Sequence, residues 1–261
     1  MHHHEQISWL GIALNGLLFL CLIGLYIVGV FVSNKKYSNW PLHRIVLWCF
    51  GIFCIAISLI GPIANNAHTS FQAHMITHLL LGMLGPLLIV FSTPMTLLLR
   101  CLKVPHARIV SKFLKGSYVQ FITHPITATI LNMGGLWLLY TTPLYHAMHS
   151  STLLYALIHL HVFLAGYVFT ASMIYLDPSP HRFSFIYRSI VLVLAMASHS
   201  ILSKWIYANP PEGIAQFDAQ MGGVIMYYGG DFIDVVIVIT LCAQYFKLNR
   251  PINIRKNLQQ S

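Results

Sequence analysis

The apolar segment HMITHLLLGMLGPLL, residues 74–88, holds two histidines four residues apart and a methionine beside the first of them. In a helix, His74 and His78 share one face. Neutral imidazole binds copper, zinc and iron, and a thioether such as that of Met75 selects copper(I) among them. The pattern therefore predicts a metal or haem site; the alternative is a pair of hydrogen-bonded core histidines.

Other segments that are equally apolar carry residues of the same chemistry. His159 and His161 point about 200° apart around a helix, so only one of them can serve the same centre, and we prefer His159. Asp231 and Asp234 are expected either to orient ligands or to form part of a proton path. The full set of predicted ligands is His74, Met75, His78, His159, His199 and Met226.

Signatures of common enzyme classes are absent from the sequence. It contains no G-x-S-x-G, no phosphate-binding glycine loop and no H-E-x-x-H, and its six acidic residues are scattered. The five cysteines form no C-x-x-C pair and are expected to pack as small apolar side chains. We therefore expect a binding or assembly role and not an enzyme.

The elements that position these residues are helices in a membrane. Of the 261 residues, 57% are hydrophobic and only 8% are charged, whereas a soluble protein carries roughly a quarter charged residues. The apolar stretches run about 20 residues, the length of a transmembrane helix. We predict an all-α bundle of seven transmembrane helices in one domain, residues 1–261, with spans at about 7–32, 44–64, 71–97, 123–141, 153–176, 186–207 and 221–246.

The positive charges orient this bundle. With the N-terminus outside, fourteen of the fifteen Lys and Arg residues fall on inner loops, the C-terminal tail or the adjoining ends of spans, and only Lys204 lies toward the outside. Positive charge marks the cytoplasmic side, which predicts an outer N-terminus and a cytoplasmic C-terminus. Because orientation in the lipid bilayer accounts for the net charge of +9, no nucleic-acid partner is expected.

The predicted ligands then fall at one level of the membrane. From the rise of about 1.5 Å per residue, they lie roughly 5 to 15 Å below the outer surface, together with Asp231. The outer loop 141–151 adds three residues that are expected to capture metal first: His146, Met148 and His149. The inner loop 100–121 is predicted to form an interfacial helix. His2, His3 and His4 are left out of the site, since they are either native or an added tag.

The order of several motifs resembles the multi-span CtaG family of cytochrome c oxidase assembly factors. H-M-x-x-H at 74–78, Gly85-Pro86 and T-P-M-T-L-L-L-R at 93–100 carry most of this resemblance, which covers residues 35–245. The shorter motifs are Trp40-Pro41, Gly61-Pro62, P-L-Y at 143–145, H-L-H-V-F-L-A-G at 159–166 and D-A-Q-M-G-G-V-I-M at 218–226. Departures from the family's usual residues are Tyr140, Ala219 and Tyr227.

The resemblance implies a protein of the bacterial cytoplasmic membrane that helps to mature a haem–copper oxidase. It implies that copper, as copper(I), is supplied to the catalytic subunit of that oxidase. The positions carried over are His74, Met75, His78, His159 and Asp218. The residues support this independently in one respect, because copper arriving from outside would meet ligands in the outer half of the membrane.

Two other functions fit the residues taken alone. A haem-binding redox protein would use histidines on facing helices, such as His78 and His159, as axial ligands, although the inner half offers no second pair. An ion or small-molecule transporter would use Asp231, Asp234 and His199 in broken helices, although no internal repeat is visible. The sequence indicates no oligomeric state.

Overall fold

Apolar runs fold as helices throughout the part of the chain that the computed structural model describes, residues 9–67, 69–179 and 181–249. No strand occurs in these residues, which confirms the all-α expectation for them. The elements are α1 (Trp9–Asn34), α2 (Leu42–Leu59), α3 (Pro62–Ala67), α4 (Phe71–Leu79), π1 (Leu80–Leu84), α5 (Gly85–Ser92), α6 (Pro94–Cys101), α7 (Val104–Leu114), α8 (Ser117–Ile122), α9 (Pro125–Thr129), π2 (Ile130–Gly134), α10 (Gly135–Thr141), α11 (Leu144–Ser150), α12 (Thr152–Met173), α13 (Phe185–Ala208) and α14 (Gln216–Leu248). Here π1 and π2 are single π-helical turns. Outside the described residues lie His2, His3, His4, the first two residues of the predicted span 7–32, and the basic tail residues Arg250, Arg255 and Lys256.

Six helical stretches in the described chain are long and apolar enough to cross a membrane. They are Gly16–Asn34, Leu42–Leu59, Phe71–Cys101, Thr152–Met173, Phe185–Ala208 and Gln216–Leu248. The remaining predicted span, 123–141, corresponds to α9, π2 and α10, which together run only from Pro125 to Thr141. The seventh crossing and the orientation therefore stay predictions.

The stretch Phe71–Cys101 is one span broken at two places. The wider turn π1 stands immediately before α5, where Pro86 lacks the backbone N–H that a regular helix needs. Thr93 then adopts a left-handed conformation with φ 53°, and Pro94 opens α6. These breaks let α4 and α6 run at different angles in one span.

The second of these breaks is held by an acidic side chain from a distant loop. The Asp177 carboxylate accepts hydrogen bonds from the Met95 amide at 3.2 Å and the Thr96 amide at 2.8 Å. It also accepts one from the Thr96 hydroxyl at 2.6 Å. Burial raises the pKa of Asp177, while these three bonds oppose the rise. The start of α6 is therefore capped by the loop that follows α12.

The main core lies among α4, α5, α10, α12, α13 and α14, and α1 and α2 pack on one side of it against α5 and α6. Gly166 of α12 lies directly against the backbone of Gly82 in π1, and a Cβ at position 166 would overlap the Gly82 carbonyl oxygen. Small residues permit such close helix approach in membranes. This contact fixes α12 against the span that carries His74 and His78.

The loop predicted as interfacial forms α7 and α8, neither of which has a buried residue. Ile109 and Phe113 are exposed apolar side chains of α7, and Arg108 and Lys112 lie on the same helix. An exposed helix with apolar and basic residues fits a position along lipid headgroups.

Candidate functional site

His74 and His78 lie side by side on α4, and both are buried, as the four-residue spacing predicts. They line a small cavity together with Tyr140 of α10 and His159 of α12. The volume open to the centre of a water molecule is about 10 Å³, which suits one water or one ion of that size. The sequence-predicted pair thus meets a third predicted ligand at one cavity.

His159 is held in a defined tautomer by its own helix. Its Nδ1 lies 2.9 Å from the Tyr155 carbonyl oxygen, which can only accept, so Nδ1 donates, and in the neutral ring the lone pair is on Nε2. The Tyr155 ring stacks on the imidazole at 4.0 Å between centroids. His161, by contrast, is exposed and contacts the Leu131 carbonyl at 3.1 Å. The structure therefore brings His159, and not His161, to the cavity.

His199 of α13 lies beside this group without lining the cavity. Its ring stacks with that of His78 at 6.2 Å between centroids, and only 1% of its surface is exposed. Neither ring nitrogen of His199, nor Nε2 of His78, has a hydrogen-bond partner among the described residues. Gly230 of α14 makes room for the His199 ring, because an added Cβ would lie 2.8 Å from Nδ1.

Tyrosines complete the cluster, and the sequence-based site did not include them. The Tyr140 hydroxyl lies 3.0 Å from His74 Nε2, and the Tyr145 ring packs edge-on against His74 at 5.0 Å. Burial raises the pKa of Tyr145, as do the nearby Tyr155 and Asp218. The available signal was that Tyr140 is one of the departures from the usual residues of the family that the sequence resembles. We name the group His74, His78, Tyr140, Tyr145, His159 and His199 the histidine–tyrosine cluster.

The predicted thioether ligands do not line the cavity. Met75 and Met226 have no exposed surface, and both belong to the main core. Met75 is turned toward α14, where its Cγ lies 3.2 Å from the position of a Cβ on Gly222. Helix geometry explains this, because residue 75 points about 100° away from residue 74. Both methionines are neighbours of the cluster in its apolar surroundings.

The outer loop folds as the short helix α11, which changes the expected capture site. Met148 is completely buried, whereas the prediction placed it at the surface. His146 and His149 are on the exposed side of α11, and the His149 ring lies 6.4 Å from that of His74. Of the three predicted residues, these two can face solvent.

The predicted acids lie at the edges of the cluster. Asp218, in the first turn of α14, accepts a hydrogen bond from Gln72 Nε2 at 2.8 Å and so ties α14 to α4. Asp231 accepts a longer one, 3.4 Å, from the Ser200 hydroxyl of α13. Each carboxylate thus links α14 to a helix that carries a cluster residue.

Within the described residues, no three His, Cys, Asp or Glu side chains stand close enough together to hold a metal ion as they are. The ring centroids of His74 and His159 are 6.3 Å apart. With metal–nitrogen bonds of about 2 Å, two imidazoles that share an ion in a line have centroids roughly 6 Å apart. The spacing suits two-coordinate binding by a pair, and the cavity is sized for an ion and not for a porphyrin.

A comparison with known protein families shows the family to which the chain belongs. The model of the cytochrome c oxidase caa3 assembly factor family matches residues 24–247. The chain belongs to this family. The match includes all of the histidine–tyrosine cluster, and it confirms the resemblance drawn from the motifs. A family of assembly factors suggests a non-catalytic role, and its place in oxidase assembly agrees with the membrane helices.

Curated relatives of this chain include three mycobacterial proteins. A protein of Mycobacterium leprae, which its name describes only as uncharacterized, is 25% identical over 258 residues, covering 90% of this chain and 39% of the relative. Proteins of Mycobacterium bovis and Mycobacterium tuberculosis with equally plain names are 25% identical over 253 residues, with 89% and 38% covered. The chain therefore spans about two fifths of the length of these relatives. No solved structure matches the chain.

Proposed function

We propose that this assembly factor binds copper(I) at the histidine–tyrosine cluster and delivers it to the catalytic subunit of a haem–copper oxidase. The observation that carries the proposal is the meeting of His74, His78 and His159 at one buried cavity of ionic size. Copper is cargo in this scheme and not a permanent cofactor.

The donor chemistry suits copper(I). Metal binds the neutral form of imidazole, in which His159, with its proton on Nδ1, has its lone pair on Nε2. The Nε2 atom of His78 has no hydrogen-bond partner among the described residues. The Nδ1–H of His159 donates to a backbone carbonyl, as the second nitrogen of a metal-bound histidine commonly does. If His74 and His159 bind the ion as a two-coordinate pair, His78 and His199 stay available to accept it in a later step.

Weak, shared coordination favours transfer over storage. His146 and His149 on α11 would take copper from the outer solution, and His149 is adjacent to His74. His78 and His199 lie deeper along α4 and α13. We infer that copper passes from α11 to the cavity and leaves by lateral contact with the oxidase subunit in the plane of the bacterial cytoplasmic membrane.

The proposal is tested by copper binding to the full chain without residues 2–4. The protein is loaded under reducing conditions against a competing copper(I) chelator, and bound metal is measured by mass spectrometry. We expect about one copper per chain, lost in the double variant His74→Ala, His78→Ala and weakened at least tenfold in His159→Ala. The matched control is His161→Ala, two residues further along α12 and exposed, which should bind as the wild type does.

The same variants separate copper supply from other roles in assembly. In cells that lack the natural protein, His159→Ala should give an oxidase subunit that carries haem but is deficient in copper, and added copper should partly restore it. Absence of copper(I) binding by the folded wild-type protein, or equal binding by the double variant, would refute the copper site. The protein would then act in oxidase assembly by another route.

A further inference from the structure

A second small cavity lies deeper in the bundle, away from the histidine–tyrosine cluster. Its volume is again about 10 Å³, enough for one water molecule. Its polar lining comes from three helical elements: Asn132 in π2, Thr170 in α12 and Asp234 in α14. These side chains are 7%, 3% and 3% exposed. No residue of this cavity lines the first one.

Two π-helical turns contribute residues to the lining of this second cavity. Gly82 and Met83 of π1 line the cavity opposite Asn132 of π2, so both π-helical turns of the described chain meet here. Single π-turns are rare in helices and are frequently found at functional sites. The close contact of Gly166 with Gly82 holds α12, and with it Thr170, against the same turn.

Among the described residues, the carboxyl group of Asp234 has no partner that would stabilise a negative charge. No described residue donates a hydrogen bond to it. Titratable groups on the neighbouring helices include Asp231 of α14, His199 of α13 and His78 of α4, none of which is a permanent cation.

The two basic side chains of α13 are engaged elsewhere. The Arg188 guanidinium packs on Tyr175 at 4.2 Å and donates a hydrogen bond to the Met173 carbonyl. Lys204 lies over Tyr227 at 4.9 Å, toward the other end of the helix. An ionised carboxylate at this depth, without a paired cation, is strongly unfavourable, and this favours the protonated form of the group.

We propose that Asp234, Asn132 and Thr170 form an intramembrane proton-binding site. The Asp234 carboxyl group holds the proton, and the carboxamide, the hydroxyl and a cavity water provide its hydrogen bonds. Proton exchange transfers H⁺ between the Asp234 oxygen and that water, with no other bond made or broken. This inference does not depend on copper binding, because the site shares no side chain with the histidine–tyrosine cluster.

Infrared spectroscopy of the full chain in lipid nanodiscs tests the site. A protonated carboxylic acid has a carbonyl-stretching band apart from those of amides and carboxylates, and the band shifts in deuterium oxide. At neutral pH we expect such a band in the wild type, its loss in Asp234→Asn, and its retention in the matched controls Asp231→Asn and Asp177→Asn. Thr170→Val, which keeps the shape of the side chain, should shift the band because one hydrogen bond is removed.

Three results of the infrared experiment would refute the proton-binding site. Absence of the band in the wild type at neutral pH, or its persistence in Asp234→Asn, would overturn the assignment. If sodium chloride in place of choline chloride removes the band at constant pH, the site holds sodium and the proton assignment is also wrong. If Asp234→Asn fails to fold, Thr170→Val provides the test, provided that its circular dichroism spectrum matches that of the wild type. An unshifted carbonyl band in this variant would refute the site.

Discussion

Replacement of Gly166 by alanine tests whether the close approach of α12 to π1 determines the geometry of the cluster. The added Cβ would overlap the Gly82 carbonyl oxygen and lie 2.9 Å from its carbonyl carbon. Carbon atoms in favourable contact are about 3.5 to 4.0 Å apart, so the two backbones must separate by roughly 1 Å. Backbone cannot rotate aside as a side chain can, and the whole helix must move.

The cost follows from this displacement. Overpacking of a well-packed core costs about 1 to 3 kcal/mol, and a backbone contact belongs at the upper end. For a chain of this size, about 3 kcal/mol lowers the melting temperature by roughly 6 to 12 °C. His159 is two helical turns from Gly166, so the shift also carries its ring away from His74 and weakens copper(I) binding.

Differential scanning fluorimetry in detergent measures the fall in melting temperature. Competition with a copper(I) chelator measures the loss of copper(I) affinity. The matched control is Gly24→Ala on α1, where an added Cβ meets nothing within 4 Å and alanine favours the helix. A melting temperature of Gly166→Ala equal to that of Gly24→Ala would show that α12 does not depend on this contact, and the argument would fail.

Three further substitutions act at single contacts. Asp177→Ala removes three hydrogen bonds at the start of α6 and should cost about 1 to 2 kcal/mol in thermal unfolding, whereas Asp177→Asn, which keeps an acceptor, should cost less. Tyr140→Phe removes the hydrogen bond to His74 and should lower stability by about 1 kcal/mol, and an unchanged melting temperature would mean that the bond contributes nothing. Gly230→Ala should displace the His199 ring; a crystal or cryo-EM structure with the ring in place would contradict this expectation.

The helical class and the pairing of His74 with His78 could be predicted because both follow from periodicity along the chain. Apolar length predicted the six helical stretches that are long enough to cross a membrane, and a four-residue spacing placed two imidazoles on one helix face. The preference for His159 over His161 agrees with the placement in the structure, since residues two apart on a helix cannot face the same centre.

The remaining contacts depend on how the helices rotate against one another, which spacing alone does not determine. Met75 faces Gly222 and not the cavity, because α4 presents residues 74 and 78 to α10 and α12. Met148 is buried because residues 144–150 form a helix where a loop was expected. The two π-turns depend on packing around Pro86 and Asn132 and have no plain sequence signature.

The shortness of the Pro125–Thr141 stretch bears on the lipid around the molecule. At about 1.5 Å per residue it rises roughly 25 Å, against an apolar bilayer thickness of about 30 Å. In a seven-crossing arrangement this hydrophobic mismatch thins the bilayer beside α10. Tyr140, next to the outer end of that helix, hydrogen-bonds His74. Lipid headgroups and water are then drawn down to the histidine–tyrosine cluster, so that an ion can reach it without crossing the full depth of the apolar layer.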